Sequence, residues 1–185
     1  VIRGLLTKPA TWIVVALLSA GALYWFQPWR LVTDTTVTDT LAVVAPPSAP
    51  ASADASVAAA PSAAAPAVAV VVAQGSFTTH EHDTTGAARV VRKPDGSHQL
   101  ELVGLDTSDG PDLRVWLSDQ PVREGADGWH VFADGKHREL GRLKGNHGDQ
   151  VYPIPPGVDP ADFRSVTIWC KRFSVSFGAA ALTTT

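Results

Sequence analysis

The chain carries one cysteine, Cys170, in "VTIWCKRFSVSFG" (residues 166–178), between a tryptophan and two cations. The thiolate is the reactive form of cysteine, so Lys171 or Arg172 would activate the sulfur if a backbone irregularity brought either within reach. That makes Cys170 a candidate redox thiol. A thiolate also ligates soft metals and haem iron. The opposing reading is equally physical, because free cysteine is among the most buried residue types and packs as a small hydrophobe. A lone cysteine closes no disulfide within the chain, but outside the cytoplasm its thiol could still pair with a partner or hold a cofactor.

Six histidines invite a metal reading. His80 and His82 in "THEHD" would project to the same side of an extended strand, and His82 is the better companion for Cys170 if a cofactor binds. His130, His137 and His147 stand beside glycine-rich turns. None has zinc-site spacing with a second close ligand, so the expectation is solvated turn histidines and no metal site. Asp106, Asp109 and Asp112 in "DTSDGPD" do not follow the alternate ligand positions of a calcium loop and read as turn caps. No nucleophile elbow, phosphate loop or dinucleotide fingerprint is present. The net charge of -3, without a basic stripe, argues against a nucleic-acid partner.

The elements that must position Cys170 read as strands. Val166, Ile168 and Cys170 share even parity, whereas Phe173, Val175 and Phe177 are odd. One inward face cannot serve both sets, which predicts a β-bulge or tight bend at Lys171-Arg172. A strand buried on both faces would equally account for Trp169 beside Cys170. From Gly75 onward, turn signals such as "KPDGS", "SDGPD", "KGNHGD" and "IPPG" separate short alternating runs. "ARVVRKPDGSHQLEL" is the clearest hairpin, and "DPADF" at 159–163 is the one helical signal. The pattern predicts an all-β domain over 75–182, an antiparallel β-sandwich or barrel-like fold, preceded by one transmembrane helix and a disordered linker.

Arg3 and Lys8 precede an uncharged run from Thr11 to Phe26, about 20 residues long once its flanks are counted and enough to cross a bilayer. Trp12 marks one edge, and Tyr24, Trp25 and Trp29 the other, so residues 10–29 are expected to contact lipid. The leading cations favour an inside amino end. The expectation is a single-pass protein of the cell membrane with an extracytoplasmic C-terminal domain. The alternative is a cleaved signal sequence, since "AGA" at 20–22 has the small-x-small form of a cleavage site. Residues 1–30 are therefore anchor or signal, and 31–74 an Ala/Pro-rich linker. Its low-complexity stretch, 42–73, is expected to tether the domain roughly 30 to 100 Å from the membrane.

Four segments, "GSFTTHEHDTTGAARVV", "LVGLDTSDGPDLRVWLS", "ELGRLKGNHGDQVYPIP" and "SVTIWCKRFSVSFGAAAL", resemble in that order the electron-transfer DM-thirteen domain family. The "LYWFQPWxLxTDTTV" lead is similar to its membrane-anchored bacterial type. The resemblance implies a small extracytoplasmic module, an accessory elsewhere to DOMON-type haem or sugar domains and to transmembrane cytochromes. It implies an electron-transfer role centred on a cysteine that matches Cys170, and His82 falls where the family often has histidine. The expected function is a membrane-tethered redox module acting through Cys170. Cys170 and His82 are the candidate cofactor ligands, the cofactor is either none or haem, and an envelope redox protein is the partner; a stand-alone enzyme is not expected. The alternative is a non-catalytic binding or adhesion module in which Cys170 is structural.

Overall fold

The computed structural model describes residues 9–44 and 68–185. Its only long helix among them, α1 (Pro9–Phe26), begins at a proline, where a missing N–H is tolerated, and runs through an uninterrupted apolar stretch. The span Pro9–Arg30 is long and apolar enough to cross a membrane, with a mean hydropathy of 1.5 and none of it buried inside the protein.

The strands are β1 (Thr36–Thr38), β2 (Val70–Thr79), β3 (Thr85–Arg92), β4 (His98–Asp106) and β5 (Leu113–Ser118), followed by β6 (His137–Arg142), β7 (His147–Pro153), β8 (Ser165–Cys170), β9 (Val175–Ala181) and β10 (Thr183–Thr184). They form one curled sheet in the order β1-β7-β4-β3-β2-β9-β8-β5-β6, with β10 on β2. The curl turns on β2, whose residues 70–76 pair with β3 while Phe77, Thr78 and Thr79 pair with β9. This antiparallel-rich half-barrel wraps a single main core. Val90, Leu100 and Leu102 face Val115, Val166 and Ile168 across it, all fully buried. Trp169, on the opposite parity, packs outside the curl with Trp116, Phe132 and Ala179. Residues 119–136 cover that outer cluster.

Local sequence signals are met where backbone chemistry dictated them. The β3–β4 hairpin closes at Gly96, with φ 81°, and Asp95 accepts the Ser97 N–H at 2.9 Å. The 3-10 turn at Pro160–Asp162 is capped by Asp159, which accepts from the Ala161 N–H.

The expected linker boundaries, 31–74, are too wide. Residues 30–44 run along the domain as a strap, and 69–74 already belong to its sheet. β1 pairs in parallel with β7, and Val44 forms a parallel bridge with Ala69. Polar contacts fix the strap at each step. Arg30 meets Asp109 at 3.2 Å, and the buried Asn146 accepts the Thr35 N–H at 2.7 Å. Asp39 takes the Lys144 ammonium and the Val151 N–H. Glycines at 145 and 148 make room, since a Cβ at either would run into the carbonyls of Thr35 and Val37. The stand-off tether is therefore corrected: α1 is joined to the domain before the Ala/Pro stretch begins. Residues 45–67 lie outside the described residues.

The strap is clamped by Glu101, whose side chain is fully buried. It accepts from Arg89 Nε at 2.5 Å, Gln99 Nε2 at 2.7 Å and the Ala42 N–H at 2.8 Å. Removing one member of a buried, hydrogen-bonded pair typically costs about 3 to 5 kcal/mol. Glu101→Ala is expected to lower unfolding stability in urea by about 3 kcal/mol and to speed hydrogen exchange at Ala42 and Val37. A loss below about 1 kcal/mol with Ala42 still protected would contradict the clamp.

Candidate functional site

The cysteine hairpin sets the site. Every residue of β8 is buried, and a four-residue turn, 171–174, reverses the chain into β9 with Ser174 in the left-handed region at φ 53°. The expected tight bend is therefore present, and it explains the parity change: Val175 and Phe177 belong to the returning strand. A bulge is present too, on β9 rather than at Lys171-Arg172. The register shifts between Ile168, opposite Gly178, and Trp169, opposite Ser176, which leaves Phe177 unpaired.

The Phe177 carbonyl accepts the His80 N–H at 3.0 Å, one step beyond the β2·β9 register, and the Thr84 hydroxyl at 3.1 Å. These bonds hold the 80–84 bend over the strand. A Cβ at Gly178 would lie 2.5 Å from Thr84 Cβ, so the approach needs glycine. The bend sends the two histidines apart rather than to one side. His82 lies over Phe177, with ring centroids 3.9 Å apart. His80 packs on Phe132 outside the curl.

His80 is buried, which corrects the expectation of a solvated turn histidine. Its Nε2–H donates to the Arg123 carbonyl at 3.0 Å, so Nδ1 accepts from the Ser176 hydroxyl at 2.7 Å; Thr167 donates to Ser176 in turn at 2.8 Å. Burial lowers its pKa below 6.5, against the opposing bond to Arg123. His130 donates to the Ser174 carbonyl, His137 stacks on Trp116, and His147 sits between Asp34 and Asp106. The three aspartates of "DTSDGPD" go to three different bases: Asp106 to His147, Asp109 to Arg30 and Asp112 to Arg114.

Cys170 is fully buried and lies opposite Leu113 on the β5·β8 ladder. Burial pushes its thiol pKa up, backbone N–H groups of Phe173, Arg172 and Asp112 partly oppose this, and the Glu81 carboxylate raises it further. The sulfur is a protonated thiol at neutral pH. Neither cation activates it, because turn residues project outward while Cys170 faces the core. Lys171 reaches Glu139 at 3.5 Å, and Arg172 donates to the Trp25 carbonyl at 2.5 Å with its guanidinium over the Trp25 ring.

A cavity of about 340 Å³ lies at the junction between the end of α1 and the domain. One wall is the chain leaving α1: Phe26, Gln27, Pro28 and Arg30. The other is Glu81, His82, Gly110, Pro111, Phe173 and Phe177. Phe26 and Phe173 stack at 5.8 Å across the junction. Gly110 packs on Phe177 and Leu113, so the cavity floor backs onto the cysteine. His82 lines this cavity, but no group of three His, Cys, Asp or Glu among the described residues could hold a metal. Axial ligation of haem by Cys170 does not fit, since the sulfur is enclosed and does not open onto the cavity.

The profile of the Electron transfer DM13 family matches residues 76–182, from the middle of β2 to the end of β9 and Leu182. The chain belongs to this family. Membership gives it a general role in electron transfer. Neither a curated protein nor a solved structure matches the chain. The cysteine hairpin, the bulge and the 80–84 bend all fall inside the DM13 match. The strap, β1 and the α1 wall of the cavity precede it. Sequence reasoning missed Arg30 and Glu81 as cavity residues, although Glu81 sits between the two histidines it singled out.

Two outcomes follow from this geometry. A water-soluble thiol reagent is expected to leave Cys170 unmodified at neutral pH and to label it fully in denaturant; prompt stoichiometric labelling of folded protein would show the enclosure to be wrong. The raised thiol pKa stabilises the fold below pH 9.0, and that contribution is lost as pH rises through the higher folded value. His80 acts in the opposite direction. Its lowered pKa gives stability that is present above pH 6.5 and lost as pH falls through the lower folded value. The hydrogen-exchange protection factor of the Ser176 amide, which donates to the Trp129 carbonyl, is expected to fall as pH drops below 6.5 in the native chain and to lose that dependence in His80→Gln.

Proposed function

We propose that this protein is a single-pass protein of the cell membrane whose DM13 domain works outside the cytoplasm, exchanging electrons with an envelope redox protein through Cys170. One observation carries the reading. The electron-transfer domain is fastened to the end of a span-length apolar helix by Phe26 on Phe173, Arg172 on the Trp25 carbonyl and Arg30 on Asp109. The cysteine hairpin is thereby held at the end of the domain nearest the membrane.

With one cysteine, two-electron exchange runs through a partner disulfide. Cys170 gives up its proton, the sulfur bonds to one partner sulfur, and the other leaves as a thiolate. A thiol of a second envelope dithiol then attacks the Cys170 sulfur and releases the first partner as a dithiol; its neighbouring thiol displaces Cys170 as it closes the new disulfide, so two electrons pass from the second protein to the first. The enclosed, protonated thiol makes this reaction depend on opening the helix–domain junction, where Phe173 is the half-exposed roof. His82 and Glu81 line the route that opening would create.

A second reading is a binding or adhesion module in which Cys170 is packing. Its complete burial and raised pKa favour that reading. The two separate in one experiment on the full chain in lipid nanodiscs. On the redox reading, Cys170→Ala keeps the melting temperature within a few degrees and abolishes electron exchange with a solubilised envelope fraction. Phe173→Ala raises Cys170 labelling roughly tenfold or more, since opening then costs about one ring contact less. Unchanged exchange in folded Cys170→Ala would leave the binding reading standing.

A further inference from the structure

We propose that the cavity at the helix–domain junction binds the aromatic headgroup of a membrane-dissolved quinone or quinol. This rests on the reading that α1 spans a bilayer, and it names a ligand class for the same site. The position comes first. Phe26, Gln27 and Pro28 are the residues at which the chain leaves the apolar helix, so the cavity stands where that helix meets the headgroup region. A ligand whose tail stays among lipid chains could present its head there.

The walls suit a flat ring. Phe26, Phe173 and Phe177 supply aromatic rings, the His82 ring already lies tilted by 33° against Phe177 with centroids 3.9 Å apart, and Pro28 and Pro111 complete the sides. The polar edges come from Gln27, Glu81 and His82, which between them donate to carbonyls and accept from hydroxyls. A quinone carries carbonyls at opposite edges of one ring, and a quinol carries hydroxyls. The volume, about 340 Å³, lies at the small end of ligand pockets and suits one substituted ring.

Charge disfavours the other lipid heads. Arg30 and Glu81 line the same cavity with opposite signs, and Arg30 is held by Asp109 at 3.2 Å and by Gln27 at 2.9 Å. An anionic phosphate would meet Glu81 and an already committed guanidinium. A quaternary ammonium would meet Arg30. A neutral ring with polar edges meets neither conflict.

The test titrates decylubiquinone into the full chain in quinone-free nanodiscs of phosphatidylethanolamine and phosphatidylglycerol, read by tryptophan quenching and by melting shift. The expected result is saturable binding, weakened roughly five- to tenfold by Phe173→Ala or His82→Ala, as for the loss of one ring stack. Arg164→Ala, in a separate cavity beside Phe163, is expected to bind as the native chain does. Circular dichroism establishes that each variant is folded. No saturation, or saturation indifferent to both substitutions, overturns the proposal, as does equal affinity for a tail-less benzoquinone or displacement by phosphocholine. Extraction of the native chain from vesicles by alkaline carbonate would sink the membrane reading itself. Retention without quinone binding would sink this inference alone.

Discussion

The Phe177 carbonyl is the point on which the cysteine end of the molecule depends. It takes two donors from the 80–84 bend, and the chain crosses from β2 to β3 over the top of β9. That crossing decides which histidine is sealed away and which lines a cavity. It also brings the Glu81 carboxylate close enough to act on the sulfur. Burial remains the largest cause of the raised thiol pKa, and the carboxylate on this bend adds to it.

The strap is held by different physics. The main core is aliphatic and indifferent to direction, whereas residues 30–44 are fixed by ion pairs and by side chains that accept backbone N–H groups. Such contacts are directional and specify register as well as adhesion. They matter because β1 is only three residues long and could not hold its place through ladder bonds alone. The DM13 domain proper accounts for the core, and the added amino-terminal residues account for how the domain meets its helix.

Much of the fold was legible because it was written in local chemistry. Turn residues marked the β3–β4 hairpin, Asp159 marked its 3-10 turn, and the parity break at 170–173 marked a bend beside Cys170. What stayed hidden was long-range. In "HQLELVG" the alternation of Leu100 and Leu102 places Glu101 outward, as it is, but nothing local says that residue 42 will return to cover it. The glycines of "KGNHGD" read as turn formers, yet both serve the approach of the strap. The site was half legible. Cys170 and His82 were found by type, whereas their separation by Phe177 follows from a bulge whose only local trace is the same parity break. The aim of Lys171 and Arg172 away from the sulfur follows from the hairpin turn, which sequence could locate but not orient.

The bridge between Val44 and Ala69 bears on how such a chain can change over time. The Ala/Pro stretch leaves and rejoins the sheet at neighbouring points, so its length is decoupled from the reach of the domain. Doubling a loop of this kind adds only about 0.6 kcal/mol of closure entropy. Insertions, deletions or an inserted reporter there are geometrically neutral for the sulfur-bearing end. Lengthening the few residues between Phe26 and Arg30 is not, because that short piece sets the spacing between the apolar helix and the thiol.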